Sequence, residues 1–160
     1  DAVSFQKKQF GVNGFETSFV PEEFKPNKSF DFIFASSFFS HLPHGTFERW
    51  LKILYDLLSE KGILVITVHD ISLINNWSIS DYSYRLSSED TMFREMDEVI
   101  EDEDNYGTMY VKEKYIQEVI KSIGINNNQY FRYPKASRGI QDIYVITKDV
   151  TDFDETLIFS

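Results

Sequence analysis

Two short segments hold the side chains best suited to chemistry. "ASSFFSHLPH", residues 35–44, sets the adjacent serines Ser36 and Ser37 ahead of His41, with His44 just beyond. "HD", His69 and Asp70, closes the apolar run "ILVITV". Histidine ionises near neutrality, so His41 or His69 can take a proton from a hydroxyl or amine. His41 is equally suited to capping its turn. His69 and Asp70 can form an acid/base pair that faces a substrate, or only close the strand. Ser36 and Ser37 can hold the polar end of a ligand, or only end a strand. The three histidines show neither His-x-x-His nor Glu-x-x-His spacing, and the chain has no cysteine, so no metal centre is expected. Ser37 and His41 are close in sequence, but no Gly-x-Ser-x-Gly elbow accompanies them, and no hydrolase triad is readable.

These residues need elements to position them. Phe30–Ser36 is the best strand candidate, and its near-continuous apolar run predicts a parallel strand covered on both faces. From Thr46 the period changes. Phe47, Trp50, Leu51, Leu54, Leu57 and Leu58 mark the stripe of an amphipathic helix, with Lys61 and Gly62 as its stop. Ile63–Val68 reads as a second buried strand, which completes a βαβ unit with a right-handed crossover. Upstream, residues 2–10 predict a short helix stopped by Gly11, "GFETSFV" a short strand, and "PEEFKPNKS" a loop. Residues 71–110 lack a sustained period, apart from a candidate helix at 90–100, and suggest a lid or a binding insertion. A helix over 111–123 follows, stopped by Gly124. "QYFRYP" and "QDIYVITKD" then predict an antiparallel pair, since "KASRG" is too short for a crossover. The fold class expected is α/β, mostly parallel with an antiparallel pair at the C-terminal edge. Residues 1–148 form the domain, and 149–160 an acidic tail. Ligands of such sheets sit beyond the carboxyl ends of the strands, where both chemical segments lie.

Composition sets outer bounds. The 160 residues are 42% hydrophobic and 16% aromatic, ample for one core. A net charge of -10 argues against non-specific nucleic-acid binding. Much of the excess sits in "EMDEVIEDED", residues 95–104, whose acids lack the alternation and glycine of a calcium loop and read as a solvated face. No window reaches the about 20 apolar residues of a membrane span, and no signal-peptide layout is present. A soluble cytoplasmic protein without a membrane partner is the expectation.

The segment from Phe30 to Asp70 resembles the second half of a class I S-adenosylmethionine-dependent methyltransferase. The shared features are the "fD-apolar-apolar" strand, the small polar turn with its His-Leu pair, the helix with a Gly-containing stop, and the next apolar strand. "NYGTMYVKEKYIQEVIKSIG" and "QDIYVITK" are similar to the family's later helix and closing strand. The resemblance covers residues 1–148. It implies S-adenosylmethionine as cofactor, and a small-molecule or glycan-like methyl acceptor. It places Ala35, Ser36, Ser37 and Phe38 at the cofactor's amino-acid end, Phe19 and Val20 beside adenine, and Asp70 and Tyr106 toward the acceptor. In the family the histidine after this strand more often caps the turn or packs under the cofactor; from the residues themselves, His41 and His69 are the catalytic candidates.

Two family features are not among these residues: the acidic-x-Gly-x-Gly turn after the first strand, and the second-strand acid that holds the ribose. The first two strands of the family sheet would therefore be lacking. Their loss would leave the Phe30 strand with an open edge and a bare apolar face. The chain would then belong to a longer protein, or the third strand would move in to pair with the Phe30 strand, or a homo-oligomer would cover the edge. A non-catalytic methyltransferase-like module that binds or oligomerises is the alternative, and a nucleotide-dependent dehydrogenase a more distant one, since it too needs a Gly-rich turn.

Overall fold

The computed structural model describes residues 2–14, 20–74, 81–86 and 107–149. Among them the elements run α1 (Ala2–Phe10), β1 (Phe30–Ala35), α2 (His44–Asp56), β2 (Leu58–Asp70), β3 (Tyr82–Leu86), β4 (Gly107–Val111), α3 (Glu113–Ser122), β5 (Tyr130–Ser137) and β6 (Gln141–Thr147). Gly11 ends α1 and Gly124 follows α3, both with positive φ, as the sequence suggested.

Strand β2 is the axis of one mixed sheet. On one side, Ile63–His69 pair antiparallel with β6, which pairs antiparallel with β5 in a hairpin. Its other side is shared end to end. β1 runs parallel to the first part of β2, up to Ala35 opposite Ile66. β4 joins, also parallel, only at His69 and Asp70, and carries β3 antiparallel on its far edge. A wedge therefore opens where β1 stops and β4 has not yet joined. The α/β architecture, with its antiparallel pair at the C-terminal edge, is the expected one, but the described sheet is mixed rather than mostly parallel: β2–β6, β5–β6 and β3–β4 pair antiparallel, and β1–β2 and β2–β4 parallel.

Alternation along the strands divides the sheet into two faces. Leu64, Ile66, Val68, Met109, Val111, Tyr144 and Ile146 point to the face covered by α2 and α3. Both helices are amphipathic, and bury Phe47, Trp50, Leu51 and Leu54, and Tyr115, Ile116, Val119 and Ile120, respectively. The opposite face begins with Phe32 and Phe34, which alternate with Ile33 and Ala35. They remain 61% and 59% exposed and stack on each other at 6.5 Å. β1 is thus not covered on both faces as its composition predicts. Helix α1 buries none of its residues, and no described helix lies over these two rings.

Three further differences concern where elements begin and end. α2 ends at Asp56, and Leu58, which fits the helical stripe, instead opens β2. Gly62 is therefore no helix cap. It sits inside the strand, where an added Cβ would lie 2.8 Å from the Phe30 carbonyl oxygen and 2.9 Å from Leu58 Cβ. Val111 stands four residues before Tyr115 and so fits the stripe of α3. Yet all of Gly107–Val111 is buried, and the segment pairs as β4. Strand β3 likewise appears in a stretch whose pattern gave no strand; its sequence Tyr-Ser-Tyr-Arg-Leu has little aliphatic signal.

Candidate functional site

The wedge between β1 and β4 is filled by the turn Ser36–Phe38 and a single 3₁₀ turn, Phe39–His41. Phe39 and Ser40 are fully buried and anchor it: Phe39 packs edge-on against Phe47 at 4.8 Å. Phe38 packs edge-on against Trp50 at 5.3 Å, so much of its ring belongs to the wall of the core. Ser36 and Ser37 stay exposed at the carboxyl end of β1. Ala35 is half-buried beneath them.

Ser37 adopts φ 55, the left-handed region that residues with a Cβ seldom occupy. Its N–H donates to Thr67 Oγ1 at 2.8 Å, and its Oγ donates to Gln141 Oε1 at 3.3 Å. Gln141 continues the network inward: its Nε2 lies 3.4 Å from Ser40 Oγ and 3.1 Å from His69 Nε2. His69 is 2% exposed and lies over the Tyr110 ring with centroids 5.5 Å apart. Its imidazole is a buried member of the floor under the corner.

His41 stands at the opposite lip. Its Nδ1 is 3.0 Å from the Gly107 carbonyl oxygen. A carbonyl can only accept, so Nδ1 carries the proton and the neutral ring presents its lone pair at Nε2. Burial pushes its pKa below the ordinary histidine value, partly countered by the bond to Gly107. His41 is therefore held neutral at physiological pH.

Asp70 caps the turn after β2, accepting from Ser72 N–H at 2.8 Å, and pairs with Arg132 at 2.9 Å. Arg132 also holds Glu113 at 2.8 Å and Asp142 at 2.7 Å. Burial alone would lower the Arg132 pKa, but its bonds to Asp142 and Glu113 outweigh this and raise it. Asp70 is thus one of three carboxylates on a single guanidinium. His44 begins α2, with its Nδ1 2.8 Å from Tyr115 Oη and its N–H donating to Tyr82 Oη at 3.0 Å. Val20 lies at the start of a 3₁₀ turn, Pro21–Glu23, and is 43% exposed. Phe19 and Tyr106 lie outside the described residues, as do the acidic run 95–104, the candidate helix 90–100 and nearly all of the tail.

The structure thus gathers Ser36, Ser37, His41 and His69 at one corner, and ties Asp70 to an ion cluster. It adds Gln141, Thr67 and Gly107, which sequence reasoning missed. No spacing signal marks them. Gln141 and Thr67 read as ordinary polar positions of strands, and only the register that sets His69 opposite Gln141 brings them in. Among the described residues no three His, Asp or Glu side chains assemble as a metal site, and no helix is long and apolar enough to cross a membrane.

The family model of a methyltransferase domain matches residues 1–128. The chain belongs to the methyltransferase-domain family. No curated protein sequence matches it. Among solved structures, an O-methyltransferase family protein from Burkholderia thailandensis is 12% identical with a TM-score of 0.54, over 86% of this chain and 36% of that one. An S-adenosylmethionine-dependent methyltransferase from Clostridium acetobutylicum is 14% identical with a TM-score of 0.52, over 90% of this chain and 68% of that one. The 1,6-didemethyltoxoflavin-N1-methyltransferase of Burkholderia thailandensis, with its substrate and S-adenosylhomocysteine bound, is 13% identical with a TM-score of 0.53, over 91% of this chain and 55% of that one. At such identities the likeness is one of fold: a Rossmann-like methyltransferase sheet. This methyltransferase-family chain spans between a third and about two thirds of the length of these structures.

Proposed function

We propose that this methyltransferase-family chain serves S-adenosylmethionine-dependent methyl transfer to a small-molecule or glycan-like acceptor. The supporting observation is the corner at the carboxyl end of β1, where Ser36 and Ser37 stay exposed on a turn held by Thr67 and Gln141. Its donor set fits the polar, amino-acid end of the cofactor: two hydroxyls with backbone groups beside them. Ala35, Ser36, Ser37 and Phe38 would hold that end, Phe19 and Val20 would flank adenine, and Asp70 and Tyr106 would face the acceptor. The cofactor, when bound, supplies an electrophilic methyl group. The protein's own part is alignment, and proton removal where the acceptor must lose one. His41, neutral and with its lone pair at Nε2, is suited to that. His69, buried in the floor, is suited to orienting the corner.

The Gly-x-Gly turn and the ribose acid that the resemblance calls for are not among the 160 residues, so cofactor binding is the point to test. Calorimetric titration of S-adenosylhomocysteine into the folded chain decides it. Micromolar affinity supports the enzyme reading. No binding by a folded chain favours a non-catalytic module.

One observation favours a role in assembly as well. The open sides of β5 and β1 differ in chemistry. β5 carries Pro134 and a register shift between Tyr133 and Ser137, devices that block further pairing. β1 has a register shift of its own, between Phe30 and Phe32 against β2, but carries no proline and shows two exposed Phe rings over its regular part. The one charge within it, Asp31, is drawn toward β2 by Ser59 Oγ at 2.6 Å. We propose that a second copy of the chain pairs along β1. Light scattering at micromolar concentration should give the dimer mass, and Phe32→Glu the monomer; a monomeric wild-type chain would exclude this reading.

A further inference from the structure

We infer that Gln141 is a positioning residue for the Ser36–His41 corner, a role that rests on reading this corner as the cofactor-binding end. Gln141 opens β6, 104 positions from Ser37, and is 5% exposed. Its partners, Ser37 on the exposed turn and Ser40 and His69 in the buried floor, use both ends of its amide. The Ser37 hydroxyl donates to the amide oxygen, while the amide nitrogen donates to the Ser40 hydroxyl and lies 3.1 Å from His69 Nε2. Among uncharged side chains of this length, an amide offers both acceptor and donor. With its nitrogen toward Ser40 and His69, its oxygen faces Ser37.

The corner requires such a hold. Ser37 stands at φ 55, and a strained backbone of this kind persists only where its surroundings over-determine it. Here two side chains from two different strands do so: Thr67 of β2 takes the amide, and Gln141 of β6 takes the hydroxyl. Ser36 and Phe38 flank Ser37, so its backbone direction sets the direction of both. The same amide reaches Ser40, in the 3₁₀ turn that ends at His41. One buried side chain therefore touches the cofactor-facing turn, the base-bearing turn and the floor.

The test compares wild type with Gln141→Leu, which keeps bulk and loses both polar groups. Hydrogen exchange of the Ser37 amide in the ligand-free chain should accelerate about tenfold, the loss of one hydrogen bond's worth of protection, while Leu64, Ile66 and Val145 exchange as before. S-adenosylhomocysteine affinity should fall about tenfold, and the Ser37→Ala/Gln141→Leu double variant should bind no more weakly than either single one. Unchanged exchange at Ser37, or an equal acceleration across β2 and β6, would overturn the inference. Should Gln141→Leu fail to fold, Ser37→Ala removes the same contact from its exposed end, and unaltered exchange at position 37 overturns it equally. If the wild-type chain binds no S-adenosylhomocysteine, the functional reading falls, while the exchange result still decides the role of Gln141.

Discussion

The Nδ1–H of His41 donates to the carbonyl oxygen of Gly107 at 3.0 Å, so one bond ties the turn after β1 to the first residue of β4 and fixes the imidazole tautomer. This contact spans the wedge that opens in the sheet between the two strands. It also sets a pH dependence. The folded chain lowers the His41 pKa below its unfolded value, chiefly by burial. As pH falls past the unfolded value of about 6.5, the unfolded chain takes up the proton first. Stability from neutral His41 is therefore complete above that pH and is lost as pH falls through the folded pKa. Denaturant midpoints measured from pH 7.5 down to 5 should decline in the wild type. His41→Asn offers a non-titrating N–H for Gly107 and should decline less. Parallel curves for the two proteins would show that His41 does not carry this dependence.

Much of this architecture is legible in the sequence, because period is a direct imprint of packing. The stripe Phe47, Trp50, Leu51, Leu54 buries as read, and the hairpin of β5 and β6 follows from a link too short for a crossover, shorter still than expected because β5 runs on to Ser137. What is not legible depends on neighbours far along the chain. Phe32 and Phe34 are indistinguishable in sequence from core residues; they are exposed because of what does not cover them. Leu58 and Val111 satisfy the helical period by coincidence, and their pairing partners decide against it. The serines and histidines of the site could be named in advance. Gln141 could not, since its meaning arises only from lying opposite His69.

Arg132 links β5, β6, β2 and α3 through Asp142, Asp70 and Glu113. Asp142 is nearly inaccessible at 2% exposure, and its other oxygen accepts the Lys135 N–H at 2.8 Å. Truncating the guanidinium strands a buried carboxylate. Arg132→Met should therefore destabilise the chain by about 3 kcal/mol. The double variant Arg132→Met/Asp142→Asn removes the stranded charge and keeps the acceptor for Lys135, so it should recover a large part of the loss. Urea denaturation of the three proteins gives the comparison. A double variant no more stable than the single one would locate the cost in lost packing of the arginine stem.

Two glycines separate close approach from mere flexibility. A Cβ at Gly62 would stand 2.8 Å from the Phe30 carbonyl oxygen and 3.0 Å from the Ser59 nitrogen, both backbone atoms that cannot swing aside. Gly62→Ala should cost about 2 kcal/mol, as overpacking at fixed backbone does. Gly45, in the first turn of α2, meets nothing within 4 Å. Gly45→Ala should be neutral or stabilise by about 0.5 kcal/mol through helix propensity. Thermal melts of the two variants should move in opposite directions or, at the least, differ by several degrees. Equal shifts would mean that β2 relaxes around residue 62 more easily than its contacts imply.

Phenylalanines in one stretch should respond in opposite ways to truncation. Phe39 is fully buried, edge-on to Phe47 and Phe38, so Phe39→Ala leaves a cavity at the centre of the cluster and should cost about 3–5 kcal/mol. Phe34, five residues earlier, is 59% exposed and touches chiefly Phe32. In the isolated monomer, Phe34→Ser removes surface that is already wet and should cost under about 1 kcal/mol. If β1 pairs with a second copy, the same change removes buried contact from the interface. Its cost then rises with protein concentration, because stability of a dimer includes association. Measuring the Phe34→Ser denaturation midpoint across a hundredfold range of concentration separates the two. A shift that grows with concentration places Phe34 in an interface. A small, constant shift leaves it on a free surface, while Phe39 belongs to the core.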